Sequence, residues 1–229
     1  MRSPTGGSWC SRADSPLSTP SELLGEGPFG ALLAVLERSR QLGLLGPGPV
    51  EQHVARALDA LRFVPERAHR ALDLGSGGGL PGLPLALARP AVPWVLLDGS
   101  VKRGDFLREA VERLGLTGQV EVVTARAEEA GRCPELRGGF DVVVARSFGP
   151  AAVTAECAAP FLQVGGCVVV AEPPGGALDR WPPEGLSLLG LRAGIAVSEP
   201  SAFQVLVQET PCPGHYPRRT GIPTKRPLF

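Results

Sequence analysis

The chain has 229 residues, of which 43 % are hydrophobic and 20 % are charged, and its formal net charge at pH 7 is zero. These values are typical of a globular protein with one substantial core, and they give no overall electrostatic reason to expect nucleic-acid binding. No apolar run approaches the roughly 20 residues of a membrane helix, the N-terminus lacks the apolar core of a secretory signal, and the five cysteines form no Cys-x-x-Cys pair. We therefore expect a cytoplasmic protein without a membrane anchor, a metal site or a disulfide framework.

Four regions follow one another along the chain. Residues 1–25 are rich in Ser, Pro and Gly without apolar periodicity, which predicts a flexible leader. Residues 26–66 contain two amphipathic helical patterns separated by Gly-Pro-Gly-Pro, and we expect a small N-terminal helical cap there. The main domain is predicted over 67–212, and a basic C-terminal tail over 213–229.

Apolar strand-like runs and helical patterns alternate in the main domain. The strand-like runs are 70–75, 93–99, 119–125, 140–146 and 166–172, and the helical patterns are 83–88, 100–116 and 151–162. A last apolar run, 204–209, is interpreted as an edge strand. Continuous Val and Leu runs joined by helices are typical of a mostly parallel sheet covered on both faces, so the predicted fold class is doubly wound α/β. In that class, ligands bind beyond the C-terminal ends of the strands.

A glycine-rich loop follows the first predicted strand. Five of the eight residues 75–82 are glycine, and such a turn places backbone N–H groups and a helix N-terminus beside an anionic group. A nucleoside triphosphate P-loop needs a lysine after the glycines, and this loop has none. A dinucleotide motif fits Gly75 and Gly77 but has Leu80 where the third glycine belongs, so that interpretation is strained and stays open.

The remaining pattern is Gly-x-Gly-x-Gly, formed by Gly75, Gly77 and Gly79 and preceded by Asp73. It resembles the first motif of class I S-adenosylmethionine-dependent methyltransferases, in which the loop holds the methionine part of the cofactor. Asp98 ends the second predicted strand about 20 residues further on, where an acidic residue suits the ribose hydroxyls. The combination indicates a nucleoside-type cofactor.

Several longer stretches resemble one family within this class. DLGSGGGLPGLPLALARP, LLDGSVKRGDFLREAVERLGL, ARAEE and FDVVVARSF occur in the order and spacing of the bacterial small-subunit rRNA guanine-N7 methyltransferase family called RsmG or GidB. LGLLGPGPVEQHV is similar to the helical N-terminal segment of that family, and YPRRTGIPTKRPL to its C-terminus. The resemblance covers residues 30–229. It implies the class I methyltransferase fold, S-adenosyl-L-methionine as cofactor and 16S rRNA or the small ribosomal subunit as partner, and we expect a monomer.

The resemblance also implies a set of site residues. The cofactor contacts are expected at Asp73, Gly75, Gly77, Gly79, Leu80, Asp98, Ala127, Glu128 and Arg146. Arg146 follows the fourth predicted strand, where a cation is expected to face the substrate and act as the catalytic residue. Three of these residues also have a purely structural interpretation: Leu80 packs the helix start, Glu128 is a solvated helix residue, and Arg146 pairs with a carboxylate.

Methylation of guanine N7 uses an available lone pair and releases no proton. Catalysis is therefore expected to come from proximity and orientation, without a general base. His53, His69 and His215 are accordingly interpreted as cap, loop and tail residues.

The basic tail is the candidate RNA contact. Arg218, Arg219, Lys225 and Arg226 give residues 213–229 a formal charge of +4 without any acidic residue, which suits phosphate binding. A solvated tail that binds no RNA is an equal alternative.

Two stretches depart from the family pattern. Glu172 and Pro173 stand where the family usually has a lysine after the fifth strand, and Ala-Arg-Ser replaces Ser-Arg-Ala around Arg146. The leading interpretation is a methyltransferase acting on guanine N7 of small-subunit rRNA. A small-molecule methyltransferase of the same fold and a non-catalytic RNA- or ribosome-binding protein remain as alternatives.

Overall fold

A computed structural model of the chain describes residues 19–65, 68–173 and 180–229. Its strands are β1 (Ala71–Leu74), β2 (Trp94–Asp98), β3 (Val120–Thr124), β4 (Phe140–Arg146), β5 (Leu162–Ala171), β6 (Leu191–Val197) and β7 (Phe203–Gln208). Its helices are α1 (Pro20–Leu24), α2 (Glu26–Gln41), α3 (Val50–Leu58), α4 (Gly82–Ala88), α5 (Val101–Arg113), α6 (Ala127–Ala130), α7 (Ala151–Ala158), α8 (Pro183–Ser187) and α9 (Ile222–Lys225). Single 3₁₀ turns follow α3 and α7, at Asp59–Phe63 and Ala159–Phe161.

The strands form one seven-stranded sheet in the order β3-β2-β1-β4-β5-β7-β6. Strands β1 to β5 pair in parallel, and β7 is antiparallel to both of its neighbours. The predicted doubly wound, mostly parallel sheet is therefore confirmed. The predicted position of the last strand is wrong, because β7 lies between β5 and β6 and the edge strand is β6. Strand β6 was not predicted, because most of its residues are exposed or half-buried and it therefore has no continuous apolar run.

Each face of the sheet is covered by its own hydrophobic layer, because successive side chains of a strand point to opposite faces. Leu96 and Val144 face a layer built from α2, α3, α4 and α5. Leu97 and Val143 face a second layer that contains α6, α7 and α8. The helices of the predicted cap thus share a core with the sheet, and the division of the chain at residue 66 stays a prediction.

Helix α1 lies inside the segment 1–25 that was predicted as a flexible leader. Thr19 caps this helix: its side chain accepts a hydrogen bond from the backbone N–H of Glu22, and the Glu22 carboxylate accepts one from the backbone N–H of Thr19. This reciprocal capping box satisfies two N–H groups that the helix itself leaves without a partner. Residues 20–24 are therefore helical, in contrast to the prediction, and residues 1–18 lie outside the described residues.

Within the three described ranges, no helix is long and apolar enough to span a membrane. The longest of these helices, α2, has 16 residues. Nor do three or more His, Cys, Asp or Glu side chains come together there in a cluster that could hold a metal ion.

Candidate functional site

Two adjoining pockets open at the C-terminal ends of the central parallel strands. The small pocket has a volume of about 190 Å³ and is lined by Gly75, Asp98 and residues of α6. The large pocket has a volume of about 550 Å³ and lies at the ends of β4 and β5. Ser147 and Phe148 line both pockets, so a ligand in one lies next to a ligand in the other. This is the edge of the sheet at which the sequence predicted a ligand site.

The glycine loop turns sharply between β1 and α4. Gly75, Gly77 and Gly79 have φ angles of +75°, +53° and +96°, which side chains other than glycine rarely adopt. A Cβ atom on Gly75 would lie 2.6 Å from Cδ2 of Phe148, and one on Gly79 would lie 2.4 Å from Cδ1 of Leu83. Of the three glycines, Gly75 lines the small pocket, while Gly77 and Gly79 shape the turn behind it.

Asp98 is the acidic residue of the small pocket. It is buried at the end of β2, where Oδ2 accepts a hydrogen bond of 2.9 Å from the backbone N–H of Gly77 and Oδ1 accepts one of 2.9 Å from that of Ser100. Arg103 lies 3.6 Å from Oδ2. Because each carboxylate oxygen has a second lone pair, Asp98 still has acceptor capacity toward ribose hydroxyl groups while it fixes the loop.

Ala127 and Glu128 also line the small pocket, at the start of α6. Glu128 is only 3 % exposed, so the interpretation as a solvated helix residue is wrong. Its Oε1 accepts a hydrogen bond of 2.9 Å from the backbone N–H of Gly221 in the tail. Thr224, on α9, lines the same pocket, so Glu128 holds the tail against the small pocket.

Asp73 and Leu80, like Gly77 and Gly79, do not line either pocket, and their contact with the cofactor stays a prediction. Asp73 is buried under the loop, where Oδ2 accepts a hydrogen bond of 2.9 Å from the backbone N–H of Gly82. Burial raises the pKa of Asp73 to about 7, and its Oδ1 has no hydrogen-bond partner among the described residues. Leu80 packs into the hydrophobic layer on the α2 and α3 side of the sheet. Both residues therefore shape the loop from behind.

Arg146 ends β4 and lines the large pocket. Its Nη2 lies 2.8 Å from Nδ1 of His53, on α3, so its partner is an imidazole rather than the carboxylate of the structural interpretation. Its Nη1 is buried and has no hydrogen-bond partner among the described residues. Burial, followed by the nearby charge of Arg56, lowers the pKa of Arg146.

Ser147 follows Arg146 with a φ of +53°, the one positive φ among the described non-glycine residues. Such a conformation costs of the order of 1–3 kcal/mol and is typically retained at functional sites. Here the strained residue lies at the junction of the two pockets.

The large pocket contains residues that the sequence did not point to. Arg56, Arg180 and Trp181 line it together with Glu172. The Glu172 carboxylate accepts a hydrogen bond of 2.8 Å from the indole N–H of Trp181 and forms an ion pair with Arg180. The missing lysine at positions 172–173 therefore does not leave the pocket without cations. Ser147 and Phe148 could have been found from their place directly after Arg146, whereas Arg56, Arg180 and Trp181 come from segments without a motif.

The C-terminal tail is folded onto the domain, so the interpretation as a solvated tail is wrong. Arg218 binds Glu156, which is fully buried on α7, through its backbone N–H (2.8 Å), Nε (2.9 Å) and Nη2 (2.6 Å). This pairing uses the guanidinium group that was predicted to bind RNA, so Arg218 is an anchor of the tail. Arg219, Lys225 and Arg226 are exposed and remain available to a polyanion.

The comparisons with known proteins agree with this geometry. The model of the family described as rRNA small subunit methyltransferase G matches residues 47–172. The chain is 37 % identical to the ribosomal RNA small subunit methyltransferase G of Rubrobacter xylanophilus over 215 residues, which cover 87 % of this chain and 81 % of that protein. It is 35 % identical to the protein of the same name from Pelotomaculum thermopropionicum, with 85 % of this chain and 86 % of that protein covered.

Solved structures show the same fold. Cofactor-bound Rv0187 from MTB has a TM-score of 0.58 and 25 % identity, and the match covers 83 % of this chain and 94 % of that one. An O-methyltransferase from Bacillus cereus in complex with SAH has a TM-score of 0.56 and 19 % identity, with 79 % and 91 % covered. With the family model across more than half of the chain and relatives that match most of its length, the chain belongs to the rRNA small subunit methyltransferase G (GidB) family.

Proposed function

We propose that the protein transfers the methyl group of S-adenosylmethionine to N7 of a guanine in 16S rRNA, in the cytoplasm and as a monomer. One observation carries the proposal: in a chain of this family, a small pocket with a buried acidic residue joins a large, arginine-lined pocket through Ser147 and Phe148. A nucleoside-type cofactor and a base held in these two pockets would be neighbours.

The residues of the small pocket suit S-adenosylmethionine. The glycine loop exposes its backbone to a ligand, because its glycines carry no side chain. At Gly75, a Cβ atom would collide with Phe148. Asp98 supplies buried acceptors for hydroxyl groups, and Val153 and Cys157 supply an apolar wall. When bound, S-adenosylmethionine supplies a methyl group on a positively charged sulfur, which becomes a neutral thioether after transfer.

The large pocket suits a reaction without proton abstraction. The described residues that line it include no histidine and two carboxylates: that of Glu172 is already bound by Arg180 and Trp181, and Glu199 is an exposed residue. Guanine presents N7 and O6 as neighbouring acceptors on one edge. The guanidinium group of Arg146 lines this pocket and carries several N–H donors that suit O6, and such a contact would orient the base while leaving the N7 lone pair free. Alignment of this kind is the main catalytic contribution expected here.

Local charge favours RNA even though the net charge is zero. Arg103 and Arg126 flank the small pocket with about half of each side chain exposed, and Arg56 lines the large pocket. Exposed Arg219 and Lys225 continue this basic surface from the tail. Guanidinium and ammonium groups placed in this way bind phosphates, with an affinity that falls as the salt concentration rises.

The test uses the full-length protein with methyl-labelled S-adenosylmethionine and three substrates: small ribosomal subunits that lack 7-methylguanine, naked 16S rRNA and a small-molecule pool. Label in rRNA at a site that chain cleavage after borohydride reduction and aniline identifies as 7-methylguanine is the expected result. Label only in small molecules would favour a small-molecule methyltransferase, and cofactor binding without any transfer would favour a non-catalytic RNA-binding protein. The Arg146→Ala variant should transfer the methyl group much more slowly than the wild type, whereas Arg113→Ala, which removes an exposed arginine paired with Glu109 on α5, should retain the wild-type rate.

A further inference from the structure

The buried histidine of α3 contacts the arginine of the large pocket. His53 is 7 % exposed, and its Nδ1 lies 2.8 Å from Nη2 of Arg146, across 93 positions of the chain. An arginine guanidinium is always protonated and has no acceptor atom. Nη2 therefore donates the hydrogen bond, His53 accepts it at Nδ1, and the neutral ring carries its proton on Nε2.

Arg146 needs such a partner to hold one conformation. The described ion pairs include none between Arg146 and a carboxylate. Arg56 lines the same pocket, and its charge lowers the pKa of Arg146, whereas the charge of the buried Asp73 raises it. Neither charge forms a directional contact with the guanidinium group, and a long cationic side chain without a hydrogen-bond partner would spread over several rotamers.

His53 itself does not line the large pocket. Its Nε2 faces the turn before α3, because a Cβ atom on Gly48 would lie 3.7 Å from it. The ring thus touches Arg146 on one side and the turn on the other, and it has no direct access to a base in the pocket.

We propose that His53 is a positioning residue for Arg146: it fixes Nη2, so that the guanidinium group keeps one orientation at the wall of the large pocket. Helix α3 then completes the substrate site through His53, which holds the arginine, and Arg56, which lines the pocket. This inference rests on the proposed function, because the role of Arg146 toward a guanine is part of that proposal.

Three single variants separate positioning from packing. His53→Ala removes the acceptor, and His53→Asn keeps one, because the amide oxygen of Asn lies near the place of Nδ1. Val54→Ala is the matched control, since Val54 is the fully buried next residue of the same helix, belongs to the hydrophobic layer and does not line the large pocket. Thermal unfolding measures how much each variant loses in folding.

The expected results concern transfer to rRNA under single-turnover conditions. Because a buried donor left without its partner is costly, His53→Ala should lower the transfer rate by about 10- to 100-fold, with an unchanged Kd for S-adenosylmethionine. His53→Asn should restore the rate to within about 3-fold of the wild type, and Val54→Ala should lower stability but not the rate. In the Arg146→Ala background, His53→Ala should have no further effect on the rate.

Two results would overturn the inference: a rate for His53→Asn no better than for His53→Ala, or losses for His53→Ala and Arg146→Ala that multiply in the double variant. Inactivity of the wild type toward every rRNA substrate would instead overturn the proposed function. The same double-mutant cycle on the free energy of unfolding needs neither RNA nor cofactor, and purely additive effects there would show that the two side chains do not interact.

Discussion

The pairing of the tail with α7 gives the sharpest prediction for stability. Arg218→Ala removes two side-chain donors from Glu156, a fully buried carboxylate, and leaves it only the backbone N–H of residue 218. Removal of one partner of a buried ion pair typically costs about 3–5 kcal/mol, because the other charge stays buried. The remaining hydrogen bond and the 26 % exposure of the Arg218 side chain reduce the penalty, so we expect a loss of about 3 kcal/mol.

The neighbouring Arg219 is a matched control. It carries the same charge in the same segment but is exposed, so Arg219→Ala should change the free energy of unfolding by less than about 0.5 kcal/mol. Urea denaturation of both variants measures the difference. If Arg219 binds a phosphate, its replacement should also weaken RNA binding. The slope of the logarithm of the RNA-binding constant against the logarithm of the salt concentration should then become smaller by about one. A loss for Arg218→Ala below about 1 kcal/mol would refute the assignment of Arg218 as an anchor.

Three further predictions concern the glycine loop and its neighbours. Asp98→Ala should weaken binding of S-adenosylmethionine by at least about 10-fold in calorimetry, because a buried acceptor is lost; unchanged binding would exclude Asp98 from the site. Gly78→Ala should cost about 1–3 kcal/mol through overpacking, since its Cβ would lie 2.4 Å from Oγ of Ser39, while Gly118→Ala, where nothing lies within 4 Å, serves as the control. Asp73→Asn should change the pH dependence of stability: the folded-state pKa of Asp73 is raised to about 7 from 3.8, so the wild type loses stability as the pH rises from about 4 to 7. The Asp73→Asn variant should lack this loss. If the free energy of unfolding changed with pH in the same way for the wild type and the variant, the prediction would be contradicted.

The sheet could be predicted from the sequence because its central strands are buried on both faces. Continuous runs such as Phe140–Arg146 leave few alternatives to a parallel strand. Strand β6 and the short helix α6 could not be found in the same way, since one is largely exposed and the other has four residues. Their places are determined by pairing with β7 and by packing under the tail, which are contacts between distant segments.

The candidate site also contains residues whose positions could be predicted from the sequence and residues whose positions could not. Asp98 lines the small pocket because the end of a parallel strand fixes its position, and its contact with the ribose stays a prediction. Asp73 has a similar sequence context, but its side chain lies under the loop and binds Gly82. The sequence shows that a residue is near a loop and does not show on which side of the loop its side chain lies. A sum of charges in the tail likewise could not reveal that Arg218 has a carboxylate partner on α7.

Helices α2 and α3 connect to both halves of the site. Ser39 of α2 donates a hydrogen bond of 3.0 Å to the carbonyl of Gly78, in the loop beside the small pocket. His53 of α3 accepts one from Arg146, in the large pocket. In the loop, Gly77 is thus held by Asp98 and Gly78 by Ser39 of α2. Because alignment of methyl group and base is the main source of catalysis proposed here, we expect these N-terminal helices to influence the reaction through their hydrogen bonds to both halves of the site.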